Sequence, residues 1–463
     1  MRRRTFTAGA AGGAGAALLA AAGCEAPGDA AYGGDRAGLP GAPVTLTVLT
    51  HYASEPLRSA LESAVGAWNA THRRVTVRTT AVKFTDLLTT YMVRQAAGQG
   101  PDILHPSGLW TGQLVRAGVL RPAPRDTARL IRRDFSPAAV AAASANGTVY
   151  GYPTEVQTYA LYYHRRLLRE AGVGGPPRTW RELEDTAYRT ARRDRHGNTL
   201  VQGFGLSRAD DSTVVGQTLA LLAAGGGAFL TPDGRRTALG SAVGREVLDL
   251  ERRLIERGAA DPGIPLFRAF PSGQVAMTVN AGWWTAGLRA AMGGGYRDVG
   301  VAPVPGRAPG DRGTLATGFL LGVNARSRYP RQAWEFLHWL NAAPVPAARP
   351  AGAGRPRGAV SRMSALQVSV GSMTGRADDM RALLGGEGGH GGSRGGSGGG
   401  DANRGPFLDA LHYAVPQPNG PRAQRATALL RKNIEEIWTG RAPVDTALAT
   451  LTRQIDQELS RPY

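Results

Sequence analysis

The sixty-one residues from Val44 to Leu104 alternate between two hydrophobic periods, and this alternation constrains the fold more than any other feature. Val44 to Leu49 (VTLTVL) alternates and is rich in branched residues, so it reads as a strand. Leu57, Leu61, Ala64, Val65 and Trp68 then recur at helical spacing. Val75 to Val77 is a second short strand, and Phe84 to Gln95 a second helix with Leu87, Leu88, Tyr91 and Met92 on one side. Ile103-Leu104, after Pro101-Asp102, is a third, buried strand. Strand–helix–strand–helix–strand predicts a parallel sheet with helices on its faces, an α/β fold. Ligands of such sheets sit outside the carboxyl ends of the strands. The segments Thr50 to Glu55 and His105 to Trp110 are therefore the first places to look for a site.

The middle of the chain repeats the alternation. Thr148 to His164 predicts two strands with a bend at Pro153, and Arg165 to Ala171 a short helix. Thr179 caps the next helix, with Glu182 three residues on as a capping box. Val243 to Ile255 is amphipathic, and Val275 to Val279 and Leu315 to Val323 read as strands. Arg331 to Leu340, Ala426 to Trp438 and Val444 to Leu459 read as helices. The roughly 420 residues after Pro43 suffice for two domains with substantial cores. Gly385 to Gly400 (GGEGGHGGSRGGSGGG) has nothing to bury and is expected to be a disordered surface loop.

The first residues have another logic. Arg2 to Arg4 precede an uncharged Gly/Ala/Leu stretch that ends at Gly23, the anatomy of an export signal over residues 1–23. Arg3-Arg4-Thr5-Phe6 resembles a twin-arginine signal, and Ala21-Ala22-Gly23-Cys24 resembles a bacterial lipobox. Cys24 is the only cysteine in the 463 residues. It is expected to carry a lipid that anchors the chain at the outer face of the cell membrane, with residues 24–43 as a flexible tether. The formal charge of +19 is almost all arginine, scattered rather than gathered into one face. That distribution argues against nucleic acid as a partner.

Catalytic patterns are missing where they would count. The G-x-S-x-G and G-x-G-x-x-G matches fall only inside the glycine stretch, without the strand and helix that such motifs need. Eight histidines show no H-x-H or H-E-x-x-H spacing, so neither a metal site nor a cofactor has local support. Asp210-Asp211 and Glu435-Glu436 are adjacent pairs whose side chains point different ways, unlike an acid/base pair. Trp110, Trp283 and Trp284 each follow a strand end, where an aromatic face could stack on a sugar ring. Trp68, Trp334 and Trp339 lie on helix faces and are assigned to cores, and Trp180 to packing at a helix start.

The order of these segments resembles the family-one extracellular solute-binding proteins of ATP-binding-cassette importers, which include maltose and oligosaccharide binders. The blocks that carry it are VTLTVLTHYASEPLRSALESAVGAWNATH, FTDLLTTYMVRQAAGQGPDIL, YGYPTEVQTYALYYHRRLLREAG, FPSGQVAMTVNAGWW and ATGFLLGVNARSRYPRQAWEFLHWL. The resemblance implies a two-lobed fold of the type II periplasmic-binding class, with the ligand in a cleft at the hinge. It places 44–154 with 313–343 in one lobe and 158–311 with 344–463 in the other. It further implies a monomer that binds a sugar, meets a membrane permease and performs no catalysis. The positions it maps to the ligand are His51, Glu55, His105, Ser107, Trp110, Gln157, Asp211, Trp283, Phe319 and Tyr413. Gln157 stands where maltose binders place an acid, and an amide is the weaker acceptor. Another small polar solute, such as a sugar phosphate or polyamine, is the alternative on the same fold. A secreted glycoside-acting enzyme is the other, and it would need two carboxylates about 5–10 Å apart across a cleft.

Overall fold

The computed structural model describes residues 42–208, 211–342, 344–346, 359–384 and 402–461. The leader, Cys24, the tether through residue 41, Asp210 and the glycine stretch 385–400 lie outside the described residues.

Strand β1 (Val44–Thr50) is followed by α1 (Leu57–Thr71), β2 (Val75–Ala81), α2 (Phe84–Ala96) and β3 (Ile103–Leu104). β1 pairs in parallel with both β2 and β3, as the alternation of periods requires. Helix α1 buries Leu61, Val65 and Trp68, and the Trp68 indole N–H donates to the Val75 carbonyl at 2.7 Å. Helix α2 buries Leu87 and Tyr91, but Met92 is 36 % exposed and does not share their face.

Two strands do lie between Thr148 and His164, but the break comes at Tyr150 and not at Pro153: a two-residue strand, Thr148–Val149, precedes β4 (Gly151–His164), which runs unbroken for fourteen residues. Pro153 is accommodated because the ladder shifts register beside it, so the strand runs on. In the second lobe come α3 (Trp180–Thr190), β5 (Thr199–Phe204), α4 (Asp211–Ala224), α5 (Ala242–Glu256), β6 (Val275–Ala281), α6 (Trp284–Met292) and β7 (Val299–Ala302). Thr179 caps α3 by accepting from the Glu182 N–H at 3.1 Å. Glu182 reaches back to the N–H of Arg178, one residue before the cap position of a standard capping box.

The chain returns through β8 (Thr314–Val323) to α7 (Pro330–Asn341), then α8 (Arg362–Ser369), and ends with α9 (Ala423–Trp438) and α10 (Val444–Ser460). The principal sheet has ten strands and runs β2-β1-β3-β8-β4-β6-β5 with a short edge strand at Arg192–Arg193. Its two halves belong to the two lobes, and β4 and β8 run through both. The start of β4 pairs with β8, and Tyr159 to Tyr163 of the same strand pair with β6.

Each lobe has its own core. Leu46, Trp68, Ile103, Val323 and Phe336 anchor the first, and Leu161, Phe204, Leu219, Leu248, Met277 and Ile434 the second. At about 1.5–3 kcal/mol per fully buried large apolar side chain, either cluster can hold its lobe without a disulfide. One segment departs from the expected division. Met363 and Leu366 of α8 pack into the first lobe's core, although 344–463 as a block was assigned to the second.

Candidate functional site

The ends of β1 and β3 meet beside the middle of β4. His105 continues the β3 ladder by donating its N–H to the Leu49 carbonyl at 3.1 Å, and the Tyr91 hydroxyl lies 2.8 Å from the same N–H. The His105 ring is fully buried, with Nδ1 2.9 Å from Thr50 Oγ1 and Nε2 3.0 Å from Thr154 Oγ1. The adjacent Glu155 is only 5 % exposed. It accepts from the Tyr52 hydroxyl at 2.7 Å and from Gln367 Nε2 at 3.2 Å, and its Oε1 lies 3.1 Å from His51 Nε2.

A β-bulge arranges these groups. Gly318 pairs with Val156 and Leu320 with Pro153, so the single residue Phe319 stands opposite the two residues Thr154 and Glu155. A bulge of this kind bends the strand and re-aims side chains. Here it serves His105 with Thr154 and His51 with Glu155. Phe319 in turn bridges to Ser107 and stacks on the His51 ring at 4.0 Å and 25°. Phe84 carries the aromatic wall onward, 5.7 Å from Phe319 and stacked on Trp110 at 5.2 Å and 13°.

The electrostatics follow from burial and neighbours. Burial pushes the His105 imidazole down to about 4, so it is neutral at physiological pH. Burial by itself raises the Glu155 carboxyl, but the His105 and His51 imidazoles beside it outweigh that effect and hold it well below the usual carboxylate range. The Tyr52 hydroxyl is pushed up by burial and then by the Glu155 charge, so it remains a donor.

The ten sequence-mapped positions fall into groups. His51, His105, Ser107, Trp110 and Phe319 come together in this one wall. Within it, His105, Ser107 and Trp110 are buried supports, while His51 and Phe319 keep partial exposure. Gln157 lies two residues beyond Glu155 on β4 and donates to Ser372 Oγ at 2.7 Å, while its Oε1 is buried without a partner. Trp283 stands after β6 in the other lobe, 46 % exposed and tilted against Phe267 at 5.7 Å. Its neighbour Trp284 is core, packed with Tyr162 and Phe270, and is not a stacking face.

Glu55 is not part of the wall. It pairs with Arg58 at 2.7 Å and holds the Ser59 hydroxyl at the start of α1. Tyr413 sits apart, half-buried, with the Arg312 guanidinium 6.0 Å from its ring. Asp211 opens α4, and its side chain lies outside the described residues. Trp339, assigned to the core, is half-buried beneath the Arg362 guanidinium at 4.0 Å.

Sequence reasoning missed Tyr52, Phe84, Glu155 and Gln367. Glu155 was within reach, since it shares the alternation of Gln157 on the same strand. The bulge that turns it toward His51 was not. A hollow of about 890 Å³ on the outer side of the first lobe, lined by Trp68, His72, Trp334 and His338 among others, includes none of the wall residues.

Known proteins share this fold. Residues 52–345, more than half of the chain, match the family model described as bacterial extracellular solute-binding protein. A binding protein of Brucella abortus is 24 % identical over 290 residues, which are 60 % of this chain and 67 % of that one. The GacH receptor of Streptomyces glaucescens, solved unliganded and with acarbose, superposes with a TM-score of 0.72 at 20 % identity, over 91 % of this chain and 100 % of that one. A solute-binding protein of an ABC transporter from Thermotoga lettingae, bound with α-D-tagatose, gives 0.72 at 18 % identity, over 90 % and 100 %. The fold is therefore that of the type II two-lobed binding proteins, and the chain belongs to the bacterial extracellular solute-binding protein family.

Proposed function

We propose that this protein is the capture subunit of an ATP-binding-cassette importer, taking a sugar or oligosaccharide between its lobes and delivering it to a membrane permease. The observation that carries the reading is the pairing of aromatic faces with unsatisfied polar atoms at the strand ends. His51 and Phe319 offer ring surface from the first lobe and Trp283 from the second. His51 Nδ1, Gln157 Oε1 and Asn280 Nδ2 are buried without hydrogen-bond partners. A buried polar atom left unpaired costs about 1–3 kcal/mol, which a solute hydroxyl would recover. Aromatic faces with a few convergent polar groups suit a sugar, whose ring is apolar on its C–H faces and polar at its rim.

In this reading His51, Gln157, Phe319 and Trp283 touch the solute, while His105, Ser107 and Trp110 hold the first-lobe wall. Glu55, Asp211 and Tyr413 stand as outer contacts made on closure. Contacts from both lobes favour the closed form over the open one, a population shift set by differential affinity. The chain acts as a monomer, by binding and without catalysis. Export through the leader and a lipid on Cys24 would keep it at the outer membrane face beside its permease.

The test is a thermal-shift panel of mono- and oligosaccharides, sugar phosphates and polyamines. A ligand selective for the native state raises the melting temperature by mass action. A rise with one sugar class that is lost in Trp283→Ala supports the reading. A rise with phosphates or amines alone overturns the sugar.

A further inference from the structure

The histidines carry no metal-ligand spacing in the sequence, yet folding gathers two of them around an acid. His51 follows β1, His105 follows β3, and Glu155 sits in the bulge of β4. One donor atom from each lies within 4.8 Å of the others, and among the described residues this is the one such group of His, Cys, Asp and Glu. His51 Nε2 stands 3.1 Å from Glu155 Oε1, and His105 Nε2 3.7 Å from Glu155 Oε2. Two donors on one tetrahedral zinc ion, each about 2.0 Å from the metal, are about 3.3 Å apart. Both separations bracket that value.

We propose that His51, His105 and Glu155 form a binding site for a first-row divalent metal ion of the zinc type. Two imidazoles and a carboxylate suit zinc and its transition-metal neighbours, whereas calcium and magnesium favour all-oxygen shells. The donors already have the outer contacts that metal ligands use for orientation. His105 Nδ1 is engaged by Thr50 Oγ1 at 2.9 Å, which directs Nε2 toward Glu155. Glu155 Oε2 is held by Tyr52 and Gln367. Binding exchanges the Thr154–His105 and His51–Glu155 hydrogen bonds for bonds to the ion.

Three protein donors leave at least one coordination position for water or a solute hydroxyl. Ligation through Nε2 also fixes the His51 proton on Nδ1. That is the buried atom without a partner, and it becomes a donor toward whatever lies against it. The ion would thus complete the wall that the sugar reading uses, although its existence does not depend on that reading.

The experiment titrates chelator-stripped protein with ZnCl₂ by calorimetry and with CoCl₂ by visible absorption, with no sugar present. One ion per chain is expected, with affinity at least about tenfold weaker in His51→Ala and Glu155→Gln. His412→Ala, which changes an exposed histidine away from the wall, should bind as the parent does. Circular dichroism and a melting curve confirm that each variant is folded. Should Glu155→Gln not fold, His51→Ala decides alone, since its ring lies at the edge of the cluster. No saturable binding, or binding that His51→Ala leaves unchanged, overturns the site. A sugar titration run in chelator is read separately, so failure of one reading is distinguishable from failure of the other.

Discussion

Two buried carboxylates, one beside the first lobe's strand ends and one in the second lobe's core, have opposite fates. Glu155 at the hinge is 5 % exposed and Glu251 in the second lobe is fully buried, so burial penalises the charge of both. Glu155 is met by the Tyr52 hydroxyl, Gln367 and two imidazoles, and is held well below the usual range. Glu251 is met by Thr218 at 2.8 Å and the Trp438 indole at 2.9 Å, and burial pushes it up to about 7. Two neutral donors do not offset full burial, whereas donors backed by imidazoles do. The first carboxylate is a fixed charge at the proposed site. The second is a near-neutral tie between α5, α4 and α9 inside a core.

The comparison breaks first at Glu155 itself. Glu155→Ala takes away the acceptor of the Tyr52 hydroxyl and one acceptor of Gln367 Nε2, and leaves the two imidazoles without their carboxylate; it should cost about 4 kcal/mol in urea unfolding at pH 7. Glu251→Gln at pH 5 should stay within about 1 kcal/mol, because an amide replaces a protonated acid donor for donor and acceptor for acceptor. Equal losses would erase the distinction.

The pH dependence comes next, and its signs are opposed. Glu251 has a folded value above its unfolded one, so the folded state holds the proton longer. Its contribution is complete below about 4.5 and is lost as pH rises through about 7. The stability of Glu251→Gln relative to the parent should therefore grow by about 3 kcal/mol between pH 4.5 and 8. His105 and Glu155 have depressed folded values, so their contributions are present above their unfolded values and are lost on acidification. For His105 the window runs from about 6.5 down through about 4. His105→Gln should flatten the loss of stability across that window, as read from melts in chelator. A parent curve that is flat on both sides would contradict both assignments.

Smaller effects sharpen the same contrast. Tyr52→Phe removes a hydrogen bond to a charged acceptor and should cost about 2 kcal/mol, while Thr218→Val removes one to a near-neutral acceptor and should cost about 1 kcal/mol. The reverse order would mean that Glu155 is not the charged member of the pair.

Much of the architecture was legible in the sequence. The alternating periods of Val44 to Leu104 specify parallel strands with helices on their faces, though not the order β2-β1-β3, and they direct attention to His51 and His105 because ligands gather at strand ends. Trp283 and Trp284 show the limit of that reasoning. They are adjacent, equally aromatic and placed after the same strand, yet one is half-exposed and the other is core. Only the direction of the chain as it enters α6 separates them. Glu155 and Tyr52 were hidden for a different reason. A bulge adds one residue to a strand without a composition signal, and it turned Glu155 from one more alternating position into the centre of the network. The membership of α8 in the first lobe was equally invisible, because no local pattern reports which of two apolar cores a helix will join.

The central claim is capture between lobes, and small-angle scattering tests it most directly. Addition of the sugar found by thermal shift should shrink the radius of gyration of the parent protein to a closed-state plateau. Trp283→Ala and Phe319→Ala should need far more sugar to reach it. Saturating sugar that leaves the radius unchanged, or closure that both variants perform at parental sugar concentrations, would contradict the account.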